Sequence, residues 1–387
     1  MPRTLIHSAR VVTDARIDQD GWVLFDGDRI TATGKGQPQS AGAGGESSVE
    51  IVDARGRFLT PGFIDIHSHG AGGATFSEGA SAIAQALAVH RAHGTTRSVL
   101  SLVTATIDDL ERQLDMIACI TASDPLVLGS HLEGPFLSKE HKGAHDPTLL
   151  CEPDLNSVTR LLDAGRGSIR QITLAPELPG GMEAVQRFVD AGVAVAIGHT
   201  DVNYEGASAA FAAGATILTH AFNGMNGIHH RAPGPVLAAF RSPGVTLEVI
   251  NDGVHVAPEI VHLVFEQAPG RIALITDAMA AAGSPDGEYM LGRLHVVVRN
   301  RVARLADGDS IAGSTLTLDA ALRNAVGSGR LPIETAVAAL TEVPARAIDR
   351  TRDLGRLAPG YAADAVLLDE NLQVDAVWAG GLRLGPV

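Results

Sequence analysis

Phe63-Ile64-Asp65-Ile66-His67-Ser68-His69 is an apolar run that ends in two histidines one residue apart. A strand sends alternate side chains to the same face, so His67 and His69 can aim at one ion from the end of one strand. Far downstream, four more polar residues each close a short apolar stretch. They are Glu133 in His131-Leu132-Glu133-Gly134-Pro135-Phe136, His199 in Gly198-His199-Thr200, His220 in Thr219-His220-Ala221-Phe222-Asn223 and Asp277 in Leu274-Ile275-Thr276-Asp277-Ala278.

These stretches sit inside a regular alternation. Between about residues 59 and 352 the pattern predicts strands at Phe63–His67, Thr95–Leu102, Val127–Glu133, Ile169–Ala175, Val193–His199, Thr216–His220, Thr246–Asn251 and Ile272–Asp277. Helical spacing fills most gaps, at Ser81–His93, Asp108–Thr121, Met182–Ala191, Tyr204–Ala213 and Ala257–Gln267. Eight strands alternating with helices over roughly 250 residues predict a (β/α)8 TIM-like barrel, an α/β fold with its active site at the carboxyl ends of the strands. A doubly wound sheet would also alternate, but no Gly-x-Gly-x-x-Gly follows the first strand.

In such a barrel His67 ends strand one, Glu133 strand three, His199 strand five, His220 strand six and Asp277 strand eight, and all five ends share one rim. Each residue has a plainer role open to it. A strand-end histidine is commonly a hydrogen-bonded core or surface group, and the chain has 15 of them. Glu133 suits a structural ion pair, and Asp277 suits a cap on the segment after it. The shared placement favours metal, and imidazole with carboxylate suits Zn²⁺ or a neighbouring first-row divalent ion. A bound ion lowers the pKa of water to roughly 7. Asp277 is then placed to take the water's proton and return it to a leaving nitrogen, which points to hydrolysis of a C–N bond.

The chain ends read differently. Thr4–Val12, Gly21–Asp26, Arg29–Thr33 and Ser48–Asp53 alternate like strands, as do Asp364–Leu368 and Gln373–Trp378. Neither end has enough apolar residues to stand alone. The expectation is one small, discontinuous β-sandwich domain from residues 1–58 and 353–387, clasping a hydrolase barrel at 59–352. The Gly/Ser/Ala-rich stretch Gly34–Ser47 is expected as a surface loop.

Composition narrows the function. A net charge of -14 with 4% aromatics argues against a nucleic-acid surface. An anionic small molecule stays compatible, because a pocket can be locally positive in an acidic protein. Cys119 and Cys151 lack metal-type spacing. Cys119 is expected to be a packed core thiol. Cys151 follows a loop near the site, where a lid or redox role and a structural one both stay open. A reducing compartment, no signal-type apolar region and no membrane-length run lead to a cytoplasmic expectation, with no membrane partner.

The motifs resemble those of the amidohydrolase superfamily, and specifically the N-acetylglucosamine-6-phosphate deacetylases. The resemblance runs from Leu59-Thr60-Pro61-Gly62-Phe63-Ile64-Asp65-Ile66-His67 to Gly360-Tyr361-Ala362-Ala363-Asp364. It is most specific at His131–Phe136, Lys142-Gly143-Ala144-His145, Thr219–Met225, Asp252-Gly253-Val254-His255 and Thr276-Asp277-Ala278. The resemblance implies hydrolysis of N-acetyl-D-glucosamine 6-phosphate to D-glucosamine 6-phosphate and acetate, in amino-sugar catabolism and cell-wall recycling.

It also implies that Glu133, His199 and His220 hold the principal metal. The intact His67 and His69 favour a second ion, with Glu133 bridging and Asp277 as an added ligand. His145 would help polarise the acetyl carbonyl, with Asp277 the general acid/base. His255 would contact the sugar, while Asn223 and the backbone at Gly224 cradle the phosphate. Arg231, in His229-His230-Arg231-Ala232-Pro233-Gly234, would reach the phosphate of a neighbouring subunit in a homodimer. Guanidinium suits phosphate bidentately, and a glycine lets backbone N–H groups approach an anion.

Other functions fit less well. Dihydroorotases and hydantoinases bridge their metals with a carboxylated lysine, and Lys35, Lys139 and Lys142 all lie away from strand ends. A nucleobase deaminase has little use for Glu133 as a ligand or for Arg231. Another amidohydrolase acting on an N-acyl amine is the serious alternative. A non-catalytic scaffold would have lost ligands, and none is missing.

Overall fold

A computed structural model describes residues 3–38, 49–308 and 310–385. Eight parallel strands form one sheet in chain order: Phe63–Ser68, Thr95–Val103, Val127–Glu133, Ile169–Leu174, Ala194–Ile197, Ile217–Leu218, Thr246–Ile250 and Ile272–Ile275. They are numbered one to eight below. Strands one, three, seven and eight are buried along their whole length, as near-continuous apolar runs require when both faces are covered. The first and eighth strands meet through Asp277, whose N–H donates to the His67 carbonyl at 2.8 Å. Beside it, Thr276 Oγ1 donates to Asp65 Oδ2 at 2.6 Å.

Helices cover the outside where their apolar stripes predict. Ile107–Ser123 turns Leu110, Leu114 and Ile117 inward, and Thr106 caps it by accepting from the Asp109 N–H. That register puts Cys119 on the outer face. The expected core thiol is instead exposed, accepting from Arg166 Nη2 at 3.4 Å. Cys151 is exposed too, its N–H bonded to the Pro135 carbonyl.

The pattern over-reads three strand ends by two residues. Strand six is only Ile217–Leu218, where Thr216–His220 was expected; strand five stops at Ile197 and strand eight at Ile275. The cause is backbone direction. His199, His220 and Asp277 take φ of 48°, 23° and 47°, left-handed values that end pairing and swing each side chain into the barrel mouth.

After strand eight comes a three-stranded antiparallel sheet that the periodicity did not announce: Gly287–Leu291, Leu294–Arg299 and Val302–Leu305. It brings Leu291 to the mouth of the barrel.

Both chain ends build a second eight-stranded sheet. Phe58–Pro61 runs parallel to Arg3–Thr13 on one side and antiparallel to Ala365–Leu368 on the other. The strand that leads into the barrel therefore ties the two ends together. Phe25, Leu59, Leu367 and Trp378 form its own core. Of the expected Gly34–Ser47 loop, Gly34 and Lys35 extend the strand Arg29–Lys35, and residues 39–47 lie outside the described ones. A buried ion pair joins the sheet to the barrel: Arg97 Nε and Nη2 reach the Asp364 carboxylate at 2.6 and 3.1 Å. Among the described residues no helix is long and apolar enough to cross a membrane.

Candidate metal centre and active site

Glu133, at the end of strand three, lies at the middle of the cluster and is almost fully buried. Its Oε1 lies 3.1 Å from His199 Nε2, 3.2 Å from His220 Nε2 and 3.3 Å from His67 Nε2. Its Oε2 lies 3.1 Å from His69 Nε2 and 3.5 Å from His145 Nε2. Asp277 Oδ1 closes the group, 3.2 Å from His69 Nε2 and 3.5 Å from His67 Nε2. The six expected metal ligands thus share one point at the barrel mouth. Two overlapping groups could hold an ion, His67/His69/Glu133/Asp277 and Glu133/His145/His199, and His220 joins through its contacts with Glu133 and His199. His145 enters the second group although the resemblance cast it as a catalytic and substrate-contacting residue and not as a metal ligand.

Three features fit a divalent cation. Nδ1 of His199 faces the His141 carbonyl at 2.8 Å, and Nδ1 of His220 faces the Asn223 carbonyl at 3.1 Å. A carbonyl only accepts, so both Nδ1 atoms donate, which turns each Nε2 toward the Glu133 carboxylate as the ring's ligand atom. Second, Nε2 of His67 is buried without a hydrogen-bond partner. Third, two buried carboxylates gather positive charge around them. Burial alone would raise Asp277, but His67 and His69 bring it down to about 2. Glu133 is likewise held well below the usual carboxylate range against burial, by His67 and its hydrogen-bonded histidines. Burial opposes charge on His69, yet Asp277 and Glu133 raise it to about 9. A divalent ion replaces those protons on binding.

Other polar groups hold the cluster in place. His131 is buried, with Nδ1 on Ser101 Oγ and Nε2 on Thr173 Oγ1, and its ring meets that of His67 edge-on at 4.6 Å. Glu248, on strand seven, bonds Nδ1 of His67 at 3.0 Å. Sequence reasoning missed Glu248. The signal was a lone carboxylate inside Thr246-Leu247-Glu248-Val249-Ile250, which a buried strand tolerates only with partners.

A cavity of about 300 Å³ opens above the cluster, lined by His69, Glu133, His145, Asn223, His255 and Asp277 among others. Gly143 and Gly224 come within a methyl's width of the His199 ring: a Cβ on either would stand 2.9 Å from it. Burial lowers His145 to about 4, with the charge of His199 acting the same way and the hydrogen bond to Glu133 opposing both, so the ring is neutral at neutral pH. His255 is fixed by Asp252, Nδ1 to Oδ2 at 2.7 Å; this outweighs burial and raises it. Asn223 turns its amide back onto the His220 and Ala221 carbonyls at 3.3 Å. Among the described residues the cavity lining holds no lysine or arginine. Arg231 is exposed and lies in a separate hollow with Tyr204, Asn226 and His229.

Comparison with known proteins agrees with this geometry. The model of the Amidohydrolase family matches residues 58–384. An N-acetylgalactosamine-6-phosphate deacetylase of Escherichia coli O157:H7 is 39% identical, over 86% of this chain and 89% of its own. An N-acetylglucosamine-6-phosphate deacetylase of Lysinibacillus sphaericus is 36% identical, over 87% and 88%. Among solved structures, a variant of the Mycobacterium smegmatis N-acetyl-D-glucosamine-6-phosphate deacetylase, in complex with N-acetyl-D-glucosamine-6-phosphate, superposes with a TM-score of 0.93 at 42% identity, covering 99% of both chains. The chain belongs to the amidohydrolase family, and within it to the N-acetylglucosamine-6-phosphate deacetylases.

Proposed function

We propose that this chain hydrolyses the acetamide of N-acetyl-D-glucosamine 6-phosphate, releasing acetate and D-glucosamine 6-phosphate. The observation that carries this reading is the convergence of His67, His69, His199, His220 and Asp277 around Glu133 beneath a sugar-sized cavity, in a chain whose relatives are deacetylases of phosphorylated amino sugars. Glu133, His199 and His220 would hold the first ion. His67, His69 and Asp277 would hold a second, bridged by Glu133. Zn²⁺ is the ion we assign, because the donor set is nitrogen and carboxylate oxygen. When bound, such an ion lowers the pKa of water and polarises a carbonyl.

This chain's own groups do the rest. Asp277 accepts the proton of the attacking water as its oxygen bonds to the carbonyl carbon. His145, neutral and buried, donates to the carbonyl oxygen as charge builds there. Asp277 then passes its proton to the sugar nitrogen, and the C–N bond breaks. His255 would face the sugar, and the Gly224 backbone the phosphate, joined by Asn223 once its amide turns from the His220 and Ala221 carbonyls.

Among the described residues the cavity lining holds no lysine or arginine for the phosphate dianion, which supports assigning that role to Arg231 from a second copy in a homodimer. The domain division we propose is 1–58 with 353–387, clasping 59–352. A cytoplasmic place in amino-sugar metabolism, with a small-molecule partner and no nucleic acid, completes the reading.

The test is acetate release from metal-loaded protein given N-acetylglucosamine 6-phosphate, its galactosamine epimer or unphosphorylated N-acetylglucosamine. The epimer is included because one relative carries that name. Turnover fastest on N-acetylglucosamine 6-phosphate supports the proposal; faster turnover of the epimer moves it to the second sugar. No acetate from either phosphorylated sugar defeats it.

A further inference from the structure

Glu248 sits midway along strand seven, Thr246–Ile250, and is fully buried. A carboxylate in an apolar interior is costly unless it is hydrogen-bonded and its charge is met. Glu248 Oε2 accepts from Nδ1 of His67 at 3.0 Å and lies 3.4 Å from the backbone N–H of His220. Its Oε1 accepts from Gln171 Nε2 at 2.7 Å. Among the described residues its one ion-pair partner is His67.

We propose that Glu248 is a positioning residue for His67: it holds the ring in the tautomer that carries hydrogen on Nδ1, so that the Nε2 lone pair faces the ion beside Glu133 and Asp277. This rests on the assignment of His67 as a metal ligand. The His67 ring spans the gap between two sets of carboxylates. Nδ1 meets Glu248 below, while Nε2 stands 3.3 Å from Glu133 Oε1 and 3.5 Å from Asp277 Oδ1 above.

The edge-on contact with His131 already restricts where the ring lies. What packing cannot choose is which nitrogen bears the proton, because the two tautomers have the same shape. With Nε2 turned to an ion, the acceptor at Nδ1 holds the proton, and at 3.0 Å it is nearer than either carboxylate beside Nε2; a carboxylate there also makes the far nitrogen a stronger donor to metal.

The choice of Glu over Gln follows from counting donors. Three N–H groups converge on residue 248: His67 Nδ1 and the His220 backbone on Oε2, and Gln171 Nε2 on Oε1. The Oε1 of Gln171 has no hydrogen-bond partner, so its amide is free to turn over. In Glu248→Gln the network can therefore close again with the negative charge gone. Glu248→Leu removes the acceptor altogether. The pair separates charge from hydrogen bonding.

The experiment loads the full-length protein with Zn²⁺, challenges it with a chelator of graded concentration, and counts retained zinc per chain by elemental mass spectrometry. The parent, Glu248→Gln, Glu248→Leu and His67→Asn are compared, with thermal melting of each metal-free protein alongside. We expect His67→Asn to lose one ion. Glu248→Gln should hold that same ion about tenfold to a hundredfold more weakly, and Glu248→Leu more weakly still. If His67→Asn loses no ion, the ligand assignment fails and the positioning role with it. If His67→Asn loses an ion while Glu248→Gln matches the parent in affinity, the role of Glu248 alone is overturned, whatever its melting temperature. Should Glu248→Leu not fold, the near-isosteric Glu248→Gln decides.

Discussion

Nε2 of His199 and Nε2 of His220 stand 3.0 Å apart, while Nδ1 of each ring donates to a backbone carbonyl. The two Nε2 atoms face each other beside the Glu133 carboxylate, a spacing that suits one ion held by all three. Stripping the protein with a chelator should abolish acetate release, and Zn²⁺ or a similar ion should restore it. Metal loading should also raise the melting temperature, since an ion bound only by the folded chain stabilises it. Full activity after verified metal removal would overturn the assignment.

Asp277→Asn keeps the shape of the side chain and removes its ability to carry a proton. We expect kcat to fall about 10²- to 10⁴-fold, the usual contribution of a general acid/base, with the first ion still bound. Activity near that of the parent would eliminate the proton-transfer role.

Arg231→Ala tests the missing phosphate cation. KM for the phosphorylated sugar should rise about tenfold to a hundredfold, equivalent to roughly 1.5–3 kcal/mol for a charge-assisted hydrogen bond. KM for the unphosphorylated sugar should barely move. Equal effects on both substrates would refute the phosphate role.

Gly143→Ala probes the support behind His199. The added Cβ would stand 2.9 Å from His199 Cε1, at a residue whose φ is +54°. The ring must shift, so zinc affinity measured by chelator competition should drop at least about tenfold, the lower end for disturbing a ligand's support. Unchanged affinity would mean the loop yields instead of the ring.

Asp319 offers a stability test away from the site. Burial would raise its carboxyl, but hydrogen bonds from His93 and Thr317 and the charges of His93 and Arg323 bring it down to about 2. A carboxylate whose folded pKa lies below the unfolded value stabilises above the unfolded pKa, and loses this as pH falls through the folded one. Asp319→Asn should therefore cost on the order of 2 kcal/mol at pH 7, and the gap should close between about pH 4 and pH 2. A gap constant across that window in urea unfolding would contradict the assigned ion pair.

Some of this molecule was legible in its residues, and some was not. Apolar runs and helical spacing announced all eight barrel strands and five of the helices, because burial of one face is a local, periodic property. The spacing of His67 and His69 announced, for the same reason, that both rings face the Glu133 carboxylate end of the barrel. Strand six was over-read: nothing in Thr216–His220 declares that His220 turns to a φ of 23°. Cys119 was misplaced because an apolar context cannot say which face of a helix turns outward until Leu110, Leu114 and Ile117 are known to take the inner one.

What the residues alone determined was the list of groups able to bind an ion and the order in which strands deliver them. Tertiary structure decided that they meet. His67 and Asp277 come within 3.5 Å only because the eighth strand returns to the first, and Glu248 finds His67 only across the closed sheet. Proximity between distant parts of a chain depends on closure of the whole sheet, and no local pattern carries that information.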